Sequence, residues 1–316
     1  MANPVTDCLE IIYPIIQGGM GNISDPKLAA AISEAGGLGT IGAGTLSPSE
    51  VTEKIKTLMS HTNKPCCVNI PITVNDQTRQ ITEVVIEQKV PIVSLSAGNP
   101  TYIISQLKEY QIKVICVCST VEHAKKAEAV GADIIVCEGY EAAGINALNE
   151  STTMTIVPQI VKNVSVPVVA AGGIADGKGL AAALTLGASG VQMGTRFVAT
   201  KEAGFHNAYK RQIMESTDES TIIVGRSFHK IRRIMRGIYA DKLLDLERKS
   251  ASVEDFVEMT DEIFHANGAL KGDFVQGFIN SGQIAGLIDD CPSVSELMDS
   301  MVKEAKALLS ESLQII

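Results

Sequence analysis

Two glycine-containing turns in the second half of the chain have the composition of a phosphate-binding site. Gly172 and Gly173 follow the apolar run VPVVAA, and Gly194 and Thr195 follow the run GVQM. Because glycine has no side chain, backbone N–H groups in such turns can approach a phosphate closely and donate hydrogen bonds to it. The alternative is that these glycines only permit tight turns between a strand and a helix.

Amide side chains and further glycines stand at the ends of other apolar runs. Two amides, several glycines and few charges suit a large, hydrogen-bonding, nearly neutral ring system better than a sugar phosphate. Together with the phosphate turns, this pattern favours flavin mononucleotide (FMN). The residues predicted to contact the ring system are Gly18, Gly19, Met20, Asn69, Gly98 and Gln192.

These turns need a scaffold in which successive strands end on the same side. Eight apolar runs alternate with helical patterns, which predicts parallel strands joined by right-handed crossovers. Eight such units favour an α/β fold that closes into a (β/α)8 TIM barrel, where the loops after strands 7 and 8 are the usual phosphate site. The predicted strands are 12–16, 38–41, 66–70, 92–96, 113–117, 134–137, 166–170 and 190–193.

The alternation of strands and helices stops near residue 213. Residues 214–277 carry a charged, helical pattern of weak periodicity, and an amphipathic helix follows at 294–309. We therefore expect residues 1–213 and 278–316 to form the FMN-binding barrel. Residues 214–277 are predicted to form a small helical substrate or lid domain, inserted after strand 8.

Composition narrows the class of protein. The net charge of −9 over 316 residues argues against general nucleic-acid binding. No apolar run reaches the roughly 18 residues of a membrane span, and residues 1–10 lack the features of a signal peptide. The seven scattered cysteines show no second pair at zinc spacing. We expect most of them to be small buried hydrophobes, no metal site, and a reducing cytoplasm as the location.

Seven motifs occur in order along the chain: IIQGGMG, CVNI, SAGNP, CEGYEAAG, PVVAAGGIADG, VQMGTRF and SGQIAGL. In this order they resemble a flavoprotein family that comprises the FMN-dependent enoyl-acyl carrier protein reductases and the nitronate monooxygenases (2-nitropropane dioxygenases). The resemblance implies an FMN barrel and a homodimer. It places Gly18, Gly19 and Met20 beside the flavin ring, with Asn69 hydrogen-bonded to it and Gln192 in contact with it.

One loop departs from the family pattern E-G-x-E-A-G-G-H, in which the histidine faces the substrate. Ile145 stands at the histidine position, so the chemistry of that imidazole must come from elsewhere or be unnecessary. The candidate catalytic residues are Glu138, Tyr140 and Asn146, and for Glu138 an anchoring role in the loop is an equal alternative. Three histidines could reach the site, although packing or surface roles are expected for them: His206, His229 and His265.

A basic cluster lies between Arg226 and Arg236 in this otherwise acidic chain. It could attract an acyl carrier protein, a coenzyme A phosphate or the 2′-phosphate of NADPH. A solvated helix face is the alternative. The cluster consists of Arg226, His229, Lys230, Arg232, Arg233 and Arg236.

The expected function is that of an FMN-dependent oxidoreductase. By the resemblance, it would pass a hydride from NADH or NADPH through flavin N5 to an electron-poor acceptor, with an enoyl thioester as the expected substrate. Nitronate monooxygenase, in which the substrate reduces the flavin and O₂ reoxidises it, is the main alternative. Two others are a flavin-binding protein with little turnover and a flavin-free lyase or isomerase acting on a sugar phosphate.

Overall fold

Eight parallel strands form the centre of the computed structural model, which describes residues 3–249 and 251–312. The barrel strands are β1 (Ile15–Gln17), β2 (Gly39–Gly42), β3 (Cys66–Pro71), β4 (Ile92–Ser96), β5 (Lys113–Cys118), β6 (Ile134–Glu138), β8 (Val168–Ala171) and β9 (Gly190–Met193). They pair in the order β1-β9-β8-β6-β5-β4-β3-β2, and a parallel bridge between Ile16 and Leu38 joins the two ends. The predicted TIM barrel is confirmed.

Helices cover the outside of the barrel. Those between or after the barrel strands are α2 (Pro26–Glu34), α3 (Pro48–His61), α4 (Thr78–Glu87), α5 (Thr101–Glu109), α6 (Val121–Ala129), α7 (Thr153–Val161), α8 (Gly177–Thr185), α9 (Thr195–Val198), α10 (Asn207–Met214) and α14 (Val294–Ser312). A further helix, α1 (Pro4–Leu9), precedes the first strand. Short 3₁₀ helices lie at Gly21–Ile23 and Gln283–Leu287. Sequence determines several helix starts: Ser47 and Glu50 form a capping box at α3. Asp25 caps α2 one residue before Pro26.

Two apolar clusters hold this arrangement together. The larger fills the space between the strands and the outer helices. The smaller contains inward-facing residues of the strands, such as Ile16 and Val136, together with Val5 and Leu9 of α1. Because α1 packs on the strand interior in this way, it closes one end of the barrel and leaves the other end for a site.

Residues 214–277 are not entirely helical, contrary to the sequence prediction. Two strands, β10 (Thr221–Val224) and β11 (Arg232–Met235), pair antiparallel, and β11 also pairs with β7 (Gly144–Ile145) from the loop after β6. The helices of this segment are α11 (Ile238–Arg248), α12 (Val253–Met259) and α13 (Glu262–Lys271). Four-residue strands carry too little periodicity to be recognised, and the charges of β11 suggested a helix.

The boundaries drawn at residues 213/214 and 277/278 stay a prediction. Ser250 of the small segment, and residues 1–2 and 313–316 of the predicted barrel, lie outside the described residues. Phe228, Tyr239, Phe256 and Phe278 supply the buried aromatic rings of a third apolar cluster beside the barrel. The three-stranded sheet ties this cluster to the loop after β6, so the segment is attached to the barrel by backbone pairing as well as by the chain.

Three features that the composition raised can be checked among the described residues. None of the helices there is long and apolar enough to cross a membrane. Five of the seven cysteines are buried, as expected, and burial raises the pKa of Cys66 to about 11. Within the described part of the chain, no group of three or more potential ligands is arranged for a metal ion.

Gly39 provides a test of the close packing between β2 and α2. A Cβ at this position would lie 1.8 Å from the Ala29 carbonyl oxygen, which is fixed in α2. Because the backbone cannot move aside without shifting the helix, Gly39→Ala should reduce the free energy of unfolding by about 3 kcal/mol. Urea denaturation measures this value, and an unchanged midpoint would contradict the packing described here.

Candidate active site at the barrel mouth

A cavity of about 940 Å³ lies at the carboxyl ends of the barrel strands. Two of the three predicted catalytic residues, Glu138 and Asn146, line it, whereas Tyr140 does not. All the residues predicted to bind the cofactor line the same cavity: Gly18, Gly19, Met20, Asn69, Gly98, Gly172, Gly173, Gln192, Gly194 and Thr195. The closed parallel sheet therefore gathers residues that are far apart in sequence.

The two glycine turns differ in why they need glycine. Gly172 and Gly173 have φ of 92° and 74°, a region that favours glycine whatever lies nearby. Gly194 has φ of −118°, which any residue can adopt, and a Cβ there would meet nothing within 4 Å. Chain geometry alone explains the first turn but not the second. An open, uncrowded backbone at Gly194 favours the phosphate-binding interpretation over the tight-turn alternative.

A late motif of the chain completes this side of the cavity. The Thr195 hydroxyl accepts a hydrogen bond of 2.9 Å from the Gly282 N–H, and the Gln283 N–H donates to the Glu141 carbonyl oxygen at 2.9 Å. Gly282 belongs to the SGQIAGL motif and lines the cavity. The loops after β6 and β9 are thus joined to the segment that precedes α14.

The opposite side of the mouth is built around Asn69. Its amide nitrogen lies 3.3 Å from the Ser94 hydroxyl and 3.2 Å from the Ser96 hydroxyl, both on β4, and these contacts fix the side chain. A Cβ on Gly19 would come within 2.6 Å of Asn69, and one on Gly18 within 3.4 Å of the Gln192 amide. Glycine at these positions lets the end of β1 lie directly against the amides. Ser94 and Ser96 also line the cavity, and no motif had indicated their role.

Glu138 ends β6 and lines the cavity. Among the described residues none donates a hydrogen bond to its carboxylate, and burial raises its pKa to about 7. The loop anchor is Glu141 instead, whose carboxylate accepts hydrogen bonds from the Thr153 N–H at 2.9 Å and hydroxyl at 3.1 Å. No hydrogen bond of the Glu138 carboxylate supports the anchoring role among the described residues, and its acid or base role stays a prediction.

Asn146 and Tyr140 stabilise the loop after β6. The Asn146 amide donates to the carbonyl oxygens of Ala142 at 2.9 Å and of Gly144 at 3.2 Å. The Tyr140 hydroxyl is hydrogen-bonded to Arg226, and the Arg233 guanidinium lies 4.9 Å from the centre of its ring. These contacts hold Tyr140 away from the cavity wall, so the geometry does not support its predicted catalytic role.

The basic cluster between Arg226 and Arg236 does not form a single exposed face. Arg232 and Arg233 are buried, and Arg226 pairs with Glu150 at 2.8 Å. The cluster is not a helix face either, because it spans a turn and β11. All four residues of β11 are buried, and charge composition alone does not reveal this.

Part of the cavity wall comes from residues outside the barrel strands. Arg232 of β11 and Glu262 and His265 of α13 line it, together with Asn280. Burial alone would raise the pKa of Glu262, but His265, Arg232 and the Asn22 N–H lower it to about 2. His265 had been expected to pack or lie on the surface; it does pack, against Phe278 at 5.5 Å, but at the cavity wall. No local sequence signal placed Arg232 or Glu262 there.

Comparison with known proteins identifies the family. A family model described as Nitronate monooxygenase matches residues 2–81 and 69–304. The chain belongs to the nitronate monooxygenase family. A probable nitronate monooxygenase from Staphylococcus saprophyticus is 32% identical, over 98% of this chain and 99% of that relative.

Two further relatives carry other names. The structure of FabK from Thermotoga maritima is 40% identical, with a TM-score of 0.96 over the full length of both chains. A (3aS,4S,5R,7aS)-5-hydroxy-7a-methyl-1-oxo-octahydro-1H-indene-4-carboxyl-CoA dehydrogenase from Mycobacterium tuberculosis is 30% identical over 96% of each. The chain is thus an oxidoreductase of a flavin-dependent type, as its motifs predicted.

The raised pKa of Glu138 predicts a pH-dependent stability. Below about pH 4.5 the carboxyl is protonated in both states; between pH 4.5 and 7 only the unfolded state ionises readily, so the folded state loses stability as the pH rises. Glu138→Gln should remove this penalty and raise the free energy of unfolding by about 1–3 kcal/mol at pH 8, with little change at pH 4.

Urea denaturation of the ligand-free protein at both pH values measures this difference. Glu258→Gln is the matched control, since this exposed glutamate undergoes the same change in charge. A stability gain that is equal at pH 4 and pH 8 would show that Glu138 is not held protonated by burial.

Proposed function

We propose that this protein is an FMN-dependent reductase that takes hydride from NADH or NADPH and reduces an enoyl thioester. The observation that carries the proposal is one cavity with an open glycine turn on one side and fixed amides on the other. The relation to FabK, an enoyl-acyl carrier protein reductase, supports the reductase branch because it extends over the full length of both chains. A relative named as a carboxyl-CoA dehydrogenase supports a thioester substrate.

The residues at the mouth fit FMN. Gly194 leaves room for a phosphate beside the turn, and Asn69 and Gln192 offer neutral hydrogen-bonding groups for a ring system. Ligand cavities commonly measure about 300–1,000 Å³, so the observed volume is at the large end and suits a cofactor with a substrate beside it. When bound, FMN supplies hydride-transfer chemistry, and the protein supplies binding, orientation and electrostatics.

Glu138 is the proposed acid or base of this site. A carboxyl with a pKa of about 7 can hold or release a proton near neutral pH, which is the property that proton transfer requires. It projects from the end of a rigid strand, and Glu141 and Asn146 fix the loop that follows it. In this proposal Asn146 is a positioning residue, because its amide is occupied by the loop carbonyls.

Nitronate monooxygenase is the second candidate function. The family match and the staphylococcal relative favour it, since both carry that name.

The cytoplasmic location, the homodimer and an acyl carrier protein or coenzyme A partner at the exposed members of the basic cluster stay predictions. With Arg232 and Arg233 buried, such a partner would meet Arg226, His229, Lys230 and Arg236.

Anaerobic stopped-flow mixing separates these functions. We expect NADH or NADPH to bleach the flavin absorbance of the purified holoenzyme without any nitronate, and crotonyl-CoA to restore the absorbance. Bleaching by the anion of 2-nitropropane but by neither nicotinamide would instead support the monooxygenase. A purified protein that retains no flavin would contradict the proposal and favour the sugar-phosphate alternative.

Gly194→Ala tests the cofactor site itself. The added methyl group meets no protein atom within 4 Å, so the fold should tolerate it, but it would occupy space that the phosphate needs. We expect the Kd for FMN to rise about tenfold, equivalent to about 1.4 kcal/mol. Asn69→Ala should also weaken FMN binding, by removing a hydrogen bond at the ring.

Fluorescence titration of the ligand-free protein with FMN measures both affinities. The thermal midpoint of ligand-free Gly194→Ala serves as the control for folding. FMN affinity equal to that of the unchanged protein in both variants would remove this mouth as the flavin site.

A further inference from the structure

Three buried polar atoms near the small segment have no hydrogen-bond partner among the described residues. They are Nη1 of Arg232, Nε2 of His265 and Oδ1 of Asn280, and all three residues line the cavity. Buried polar groups in folded proteins nearly always find a partner, so unpaired atoms that lie this close together require an explanation. A ligand oxygen that accepts hydrogen bonds at this end of the cavity would explain the two nitrogens, whereas the Asn280 oxygen needs a donor.

The surrounding contacts hold these groups in place. Arg232 is 8% exposed and His265 is 3% exposed. One ring, Phe278, touches both: the guanidinium lies 5.1 Å from its centre, and the imidazole stacks on it at 5.5 Å with the two planes 10° apart. The two side chains are therefore fixed before any ligand arrives, which reduces the entropy lost on binding.

Nδ1 of His265 has two polar neighbours, and Nε2 has none. The Asn280 amide nitrogen lies 3.3 Å from Nδ1, and the Glu262 carboxylate lies 3.6 Å from the same atom. The tautomer in which the amide donates to Nδ1 carries the ring proton on Nε2, the atom that lacks a partner. Arg232 can only donate. With this tautomer, two unused donors stand at one end of the cavity, and they suit an oxygen that carries negative charge.

The Glu262 carboxylate supplies negative charge at this end of the cavity and leaves the N–H groups of Arg232 unoccupied. Its carboxylate is 3.6 Å from Nδ1 of His265 and accepts from the Asn22 N–H at 3.4 Å. Among the described residues it makes no hydrogen bond to Arg232, although its charge helps to stabilise the buried guanidinium. The N–H groups of Arg232 remain available.

Strand register places Arg232 beside the position where this chain lacks the family histidine. In the antiparallel pair of β11 and β7, Arg232 stands directly opposite Ile145. Directly opposite residues project on the same face of a sheet. Ile145 is 51% exposed and lines the cavity, but it offers no polar group. Arg232 is the charged neighbour on that face.

We infer that Arg232 and His265 bind the oxyanion of the substrate. This inference rests on the proposed function and names the part of the substrate that these residues hold. When hydride adds to the β-carbon of an enoyl thioester, a C–H bond forms, the C=C bond breaks, and the electron pair moves onto the carbonyl oxygen as an enolate. Protonation of the α-carbon then restores the C=O bond. A nitronate carries the same negatively charged oxygen before it reacts.

Substitution of Arg232 with a matched control tests the inference. The variants are Arg232→Met, Arg232→Lys and His265→Gln, and the control is Lys249→Met, which makes the same change in charge at an exposed residue outside both the cavity wall and the basic cluster. Calorimetry on the FMN-loaded full chain measures the Kd of two probes, acetoacetyl-CoA, whose enolate resembles the thioester oxyanion, and the anion of 2-nitropropane.

We expect Arg232→Met to weaken binding of the probe that the unchanged protein accepts by about 30-fold, because a charge-assisted hydrogen bond is lost. Arg232→Lys should weaken probe binding less, because the positive charge remains although the planar guanidinium group is lost. His265→Gln should weaken binding about tenfold, and Lys249→Met less than about threefold. FMN content and thermal midpoint, measured for each variant, show whether it is folded.

The outcomes separate this inference from the proposed function. Unchanged probe affinity in folded Arg232→Lys and His265→Gln would overturn the inference, even if Arg232→Met fails to fold, and would leave the reductase proposal intact. Arg232-dependent binding of the 2-nitropropane anion alone would support the inference and count against the enoyl thioester. If the unchanged protein binds neither probe, the inference is wrong, and turnover of crotonyl-CoA still decides the proposed function.

Discussion

Closure of the eight parallel strands is the constraint on which the rest of the site depends. Parallel strands in a closed sheet deliver all their carboxyl ends to one mouth, whatever the spacing of the residues along the chain. The bridge between Ile16 and Leu38 completes that closure and brings the turn after β1 beside the ends of β2 and β3. Without it, Gly18 and Gly19 would lie at one edge of an open sheet and Asn69 near the opposite edge.

Burial at the mouth affects two ionisable side chains. It leaves Glu138 without a protein partner and raises its pKa to about 7, and it isolates the Arg232 guanidinium from water. Both effects cost stability, because charged groups are better solvated outside the protein. Natural proteins keep such costs where the group serves a ligand or a reaction. Burial of the apolar clusters around the barrel offsets these losses of stability.

The sequence predicted the barrel well because its signals are local and repeated. Each β–α unit has its own apolar run, cap and turn, and the glycine turns follow their strands directly. The strands of residues 214–277 were missed because β10 and β11 are four residues long and acquire their identity from pairing. The positions of Arg232 and His265 in the cavity wall follow from that pairing and from the packing on Phe278, which are contacts between distant residues that no local pattern encodes.

The pairing of β11 with β7 also explains how this chain can lack a histidine in its loop and still present a polar mouth. The loop position at Ile145 and the strand position at Arg232 are opposite each other, so they share one face and one region of the cavity. In this chain the loop position is apolar, and the charged side chain on that face comes from β11. β11 belongs to the small segment, and β7 belongs to the loop after β6 of the barrel. The pairing of these two strands therefore also joins the small segment to the barrel.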